Sequence, residues 1–193
     1  MDTLSSVALA AGLGWASGLR LYATVFALGL LAKFGYVHLP AALDILSHPY
    51  VIALSGTLFV VEFFADKFPL VDSVWDSIHT FIRIPGGALL AMGAIDSNDP
   101  LIATSVALLG GTLAGGTHLA KSGSRALINT SPEPFSNWMA SFSEDGLVVI
   151  GLWLALAHPT LFMVFIVIFI ILLFWLLPKL WRGIQMMFRV TQR

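Results

Sequence analysis

Long apolar runs set off by short polar breaks dominate the chain. A helix that crosses the hydrocarbon core of a bilayer needs about 20 mostly apolar residues, given a core of roughly 30 Å and a rise of about 1.5 Å per residue. Residues 7–31, 50–66 with their flanks, and 160–177 meet that length. Residues 100–120 are long enough but rich in Gly, Ser and Thr. Residues 85–95 and 146–157 are short, and each follows a polar stretch, 72–83 and 137–145, able to extend its helix. Pro49, Pro100 and Pro159 each follow His or Asp where a run begins, a position at which the missing N–H costs nothing. The pattern predicts an all-α, polytopic integral membrane protein of about six transmembrane helices in a single membrane domain, 1–193. The two short runs either span or form re-entrant hairpins.

Composition strengthens this reading. The chain is 58% hydrophobic and 11% charged, with a mean hydropathy of +0.88. A soluble domain carries roughly 25% charged residues to face water, so lipid is expected as the outer solvent. The formal net charge of −1 supplies no basic field for nucleic acid. Cys is absent, which excludes disulfides, thiolate metal sites and Cys nucleophiles. The first six residues lack a basic n-region and Arg20 lies inside the first run, which reads as a retained helix. If all six runs cross, Lys67, Arg83, Lys121, Arg125, Lys179, Arg182, Arg189 and Arg193 fall on the side of the N-terminus, and only Lys33 opposite. The excess of Lys and Arg on inner loops then puts both termini in the cytoplasm.

A faint echo links the two halves, 1–97 and 98–193. Gly14-Trp-Ala-Ser-Gly18 is followed by Ala23, and Gly111-Thr-Leu-Ala-Gly115 by Ala120. Ser73-Val-Trp75 matches Ser136-Asn-Trp138 more weakly. Such an echo fits a three-plus-three inverted-topology repeat, a common transporter plan. The competing reading is helix packing, in which Gly14, Gly18, Gly111 and Gly115 let backbones approach closely.

Ionisable groups inside a span cost several kcal/mol unless paired or wet, so each is a candidate for function. Arg20 lies near the middle of the first run. Glu62 and Asp66 share a helix face, and Asp72, Asp76, His79 and Arg83 form one polar stripe, with Pro69 as a bend between the two elements. With Glu144 and Asp145 these acids gather toward one half of the membrane. In the functional reading Glu62, Asp72 and Asp76 line a cavity that binds a cation or relays protons, and Arg20 balances or gates it. In the structural reading Arg20 pairs with Glu62 or Asp76, Asp72 caps a helix, the stripe faces headgroups, and Asp66 and Lys67 are interfacial.

A second polar block runs from Gly110 through His118, Lys121 and Arg125 to Asn129 and Asn137. Lys121 and Arg125 are one turn apart and suit either a phosphate or anchorage at anionic lipid. Ser131-Pro-Glu-Pro134 has the chemistry of an ordered turn, and Asn137 is placed to cap the helix that continues into Gly146.

Several of these residues resemble a known pattern: Gly18-Leu-Arg20, Glu62, Pro69-x-x-Asp72-x-x-x-Asp76, Pro85, Gly110-Gly111 and Asn137 through Glu144. Across nearly the whole chain this resembles a bacterial integral membrane family, domain of unknown function 4126. The resemblance implies a multi-pass protein of the bacterial inner (plasma) membrane. It also implies that Arg20, Glu62, Asp72, Asp76 and Glu144 belong to the family pattern, and it brings no activity with it.

The leading expectation is a small transporter or channel for an ion or small polar solute, with Arg20, Glu62, Asp72, Asp76 and Glu144 at its site. His118, Lys121, Arg125, Asn129 and Asn137 form a secondary polar site. A non-transporting scaffold is the alternative, and a homo-oligomer suits its Gly faces. Enzymes rank lower: Ser17 with His118 or His79 only faintly suggests a serine protease, and Lys121 through Arg125 only fragments of a lipid-phosphate hydrolase. No His-Glu-x-x-His, P-loop or dinucleotide fingerprint occurs, so no cofactor is expected, and no metal motif is evident. Expected partners are the bilayer and the transported solute, not nucleic acid.

Overall fold

The computed structural model describes residues 2–130 and 135–190. The turn expected at 131–134 and the tail residue Arg193 lie outside them. All regular structure among the described residues is helical: α1 (Thr3–Lys33), a 3-10 turn (Ala41–Ser47), α2 (Pro49–Ala65), α3 (Pro69–Gly93), α4 (Pro100–Ile128), α5 (Phe135–Ala157) and α6 (Pro159–Val190). Local chemistry explains the starts. Pro49, Pro69, Pro100 and Pro159 each open a helix, where a proline loses no hydrogen bond. The Asp99 carboxylate accepts from the Leu101 N–H at 2.8 Å, and Asp2 accepts from the Ser5 N–H at 2.8 Å. Both short apolar runs do extend backward through their polar stretches, giving α3 and α5 as continuous helices. Asn137 consequently lies inside α5, one turn too late to cap it.

By length and composition four helices, α1, α4, α5 and α6, are able to cross a membrane, and a fifth span is added if the bent pair of the 3-10 turn and α2 counts as one. α1 does not do so as a straight rod. Arg20 leaves the helical region, with φ −147° and ψ 80°, and the chain folds back there into two arms, 3–19 and 21–33. The neighbours on each side require it. Gly12 lies against Ala155 of α5, while Ala27 and Leu31 share a groove with Leu152 and Leu156 of the same helix. In a straight helix Gly12 and Leu31 would be about 28 Å apart. Similarly, Ser17 lies against Gly87 of α3, and a few residues further along α3 Gly93 meets Leu43, whose neighbour Leu46 sits on Gly29.

Tracing these contacts orders the bundle. The first arm of α1 runs parallel to α4, with Gly14 at Gly110 and Gly18 at Ala114, and parallel to α6, with Trp15 edge-on to Phe162, Phe165 and Phe169. The second arm returns alongside α5. One end of the bundle therefore holds Thr3, the segments 34–48 and 94–99, and His158. The other holds 66–68, Thr130 and the far end of α6. The expectation of both termini on one side rested on α1 crossing once; the break at Arg20 puts Thr3 and the end of α6 at opposite ends.

The glycine echo acts in packing. A Cβ at Gly14 would come within 2.7 Å of the Gly110 carbonyl oxygen, and one at Gly18 would overlap Ala114 and Thr117. Gly111 and Gly115 face α3 instead, where a Cβ would lie 3.3 Å from Ala88 and 3.5 Å from Ile84. The two segments that share the echo also differ in course, α1 folding back and α4 running through.

Candidate functional site: a buried charge cluster at the break in α1

Breaking α1 in the interior exposes polar backbone, which in a membrane protein must be met by other groups. Here side chains meet it. The Leu19 carbonyl accepts from Lys121 Nζ at 3.3 Å, the Gly18 carbonyl from Arg83 Nη1 at 3.5 Å, and the Arg20 carbonyl from Thr24 Oγ1 at 2.8 Å. Gly18 is needed there, because α4 presses on it.

The charges that do this belong to one connected cluster. Arg20 is wholly buried. Its guanidinium contacts Asp66 at 2.7 Å, Asp145 at 2.9 Å and Glu144 at 3.7 Å, and donates to Ser141 Oγ at 2.9 Å. Lys121 Nζ lies between Asp66, Glu144 and Asp76 at 3.3, 3.4 and 3.5 Å. Arg125 forks onto Glu144, Nε at 2.9 Å and Nη2 at 3.1 Å, while its Nη1 donates to the backbone oxygens of Asp66 and Asn137 and to Asn137 Oδ1. Arg83 pairs with Glu62 and, at 3.1 Å, with Asp76. Among the described residues four cations thus face five carboxylates (Glu62, Asp66, Asp76, Glu144, Asp145), with a sixth, Asp72, at the edge; α1 to α5 and the α2–α3 turn supply them. Taking one partner from such a buried set strands a charge and costs about 3–5 kcal/mol.

Two histidines extend the network, and their partners define their tautomers. Arg83 can only donate, so His118 Nδ1 accepts from it at 3.0 Å. His118 Nε2 then carries the proton and donates to Thr80 Oγ1 at 2.7 Å, and Thr80 donates to the Asp76 carbonyl at 3.0 Å. For His79 the Trp75 carbonyl at 2.7 Å requires a proton on Nδ1, and Nε2 accepts from the Tyr22 hydroxyl at 3.0 Å. Asp72 stands apart: it has Asn129 Nδ2 on Oδ2 at 2.9 Å, and its buried Oδ1 has no hydrogen-bond partner among the described residues.

The sequence-predicted residues mostly converge, with altered pairings. Arg20 pairs with neither Glu62 nor Asp76; Arg83 holds both. Asp66 is not interfacial but wholly buried at the centre. Lys67 is the one that turns outward, its Nζ 3.1 Å from the centre of the Phe63 ring. The Asp72, Asp76, His79 and Arg83 stripe is buried against α1 and α4, not laid on headgroups. Lys121 and Arg125 are likewise buried and paired with carboxylates, which removes them from any lipid-anchoring role. Three members were passed over as site residues, Asp66, Arg83 and Asp145. The available signal was spacing: Arg83 continues the Asp72–Asp76–His79 stripe, and Asp145 adjoins Glu144.

The family model of the Domain of unknown function (DUF4126) matches residues 7–179. The chain belongs to this family. The match contains every member of the cluster, from Arg20 to Asp145. No curated protein and no solved structure matches the chain.

Proposed function

We propose that this DUF4126 protein is a small membrane transporter or channel for an ion or small polar solute, with its path passing the charge cluster at Arg20. The observation that carries the reading is the interruption of α1 inside the bundle, where its backbone carbonyls and charges of both signs meet. Interrupted helices of this kind mark ion and substrate sites in membrane transporters, because the freed carbonyls and helix ends bind charge. The cluster also holds more carboxylates than cations, which suits a path for positive charge.

The end carrying Lys67, Lys179 and Arg182 is assigned to the cytoplasm of a bacterial inner membrane, following the excess of basic residues near inner loops. The α1 hairpin then enters from the outer face and turns at Arg20. The test is flux into proteoliposomes containing the purified protein. Cation or proton uptake above that of empty vesicles is expected, with loss in Glu62→Gln and Asp76→Asn. Uptake unchanged by either variant would remove these residues from the path.

A scaffold is favoured by one observation, that all three nitrogens of the Arg125 guanidinium donate hydrogen bonds inside the bundle. A pure lock of this kind predicts no flux for any solute, together with a strong loss of folded protein in Arg125→Ala.

A further inference from the structure

Between α3 and α4, beside the cluster, lies a cavity of about 190 Å³ lined by Asp72, Ser77, Thr80, Asp76, Ser122 and Arg125, among others. Its walls offer acceptors. Among the described residues Asp72 Oδ1 and Asp76 Oδ2 have no hydrogen-bond partner, although Asp72 is wholly buried and Asp76 is 4% exposed. Unpaired buried carboxylate oxygens are costly, and these two belong to side chains that line one cavity. The donors nearby are spent. Ser77 and Thr80 hydroxyls donate to the Ser73 and Asp76 carbonyls at 2.8 and 3.0 Å, so they can present only lone pairs. Arg125, the one cation among the described lining residues, donates from all three guanidinium nitrogens to Glu144, Asn137 and the Asp66 backbone. The described lining therefore presents more acceptors than uncommitted donors, which suits a cation better than an anion.

We propose that this cavity binds a hydrated divalent cation held by Asp72 and Asp76. Among the described residues the cluster and its edge hold six carboxylates against four cations, a surplus that matches two positive charges. Among the described residues no three His, Asp or Glu side chains converge to coordinate a bare metal ion, so the ion keeps most of its water. That is the habit of a magnesium-like ion, which dehydrates reluctantly and is held through one or two carboxylates. The cavity has the volume of roughly six waters at about 30 Å³ each, enough for such a partly hydrated ion. The remaining contacts fall to the lone pairs of Ser77 and Thr80.

The site deepens the transport reading, because it names the solute class, yet it is tested by binding at equilibrium without any flux. Mn2+ alone is titrated into the purified full-length protein in nanodiscs, and free Mn2+ is followed by its paramagnetic resonance signal. One saturable site is expected, displaced by Mg2+ and not by an equal ionic strength of Na+. Asp72→Asn should weaken it by about tenfold or more, since affinity in such sites follows the count of charged ligands. Ser77→Ala, a substitution at an exposed helix position, should weaken it several-fold without disturbing the fold. Absence of a saturable Mn2+ site in the wild type, or equal binding in Asp72→Asn and Ser77→Ala, would overturn the proposal. Mn2+ binding without flux would instead count against transport and leave the cation site standing.

Discussion

The first and last helices of the bundle are both long and apolar enough to cross a bilayer, and they have opposite characters. α6 is the more strongly apolar and little of it is buried, whereas α1 is less apolar and more than half buried. α6 leaves an apolar face exposed, including Ile171, Phe174 and Trp175. α1 is enclosed by α2 to α6, breaks at Arg20, and carries small residues where other backbones press on it. Between these two helices, the more apolar one lies on the outside and the less apolar one in the interior. The reason is that lipid, unlike a protein neighbour, can satisfy no polar group.

This contrast can be broken most forcefully at Arg20. Arg20→Met removes the partner of Asp66 and Asp145, and should cost about 3–5 kcal/mol as for a buried pair with one member deleted. Thermal unfolding in detergent should show a large fall or no folded protein at all. The parallel change in α6, Ile171→Ala at an exposed position, should stay within about 0.5 kcal/mol. Equal losses at both sites would erase the distinction between the helices.

Glycines offer a second comparison. Gly18→Ala in α1 places a methyl group into the backbone of α4 and should destabilise by about 1–3 kcal/mol through overpacking. Gly146→Ala in α5, where a new Cβ meets nothing within 4 Å, should stabilise by about 0.5–1 kcal/mol from helix propensity. Opposite signs in the two melts are expected. At the surface, Lys67→Ala removes the cation over the Phe63 ring and its hydrogen bond to the Phe63 carbonyl, and should cost about 0.5–1 kcal/mol.

How far the chain could be read without coordinates follows the same division. Helix-period runs, and prolines with Asp or His before them, marked the helices because those signals are local. The charged residues stood out because any such group in an apolar run is anomalous. Their pairings did not, since Arg20 meets Asp66 and Ser141 across wide gaps in sequence, and Glu62 was an equally plausible partner by composition. The break itself was hidden for a physical reason. Nothing between Gly18 and Tyr22 is a proline, and the fold-back is stabilised by side chains from α3 and α4 that cap the freed carbonyls, which no local pattern records. Counting α1 as one crossing then carried the error into the placement of the N-terminus.

The course of α1 is thus the central claim, and the absence of native Cys makes it directly measurable. Single cysteines replace Thr3, Tyr36, Asn98 and Thr130, each an exposed position, and a membrane-impermeant maleimide is applied to vesicles of each orientation. Thr3→Cys, Tyr36→Cys and Asn98→Cys are expected to label from one face and Thr130→Cys from the other. Labelling of Thr3→Cys together with Thr130→Cys, opposite Tyr36→Cys, would mean that α1 crosses once and would contradict the account.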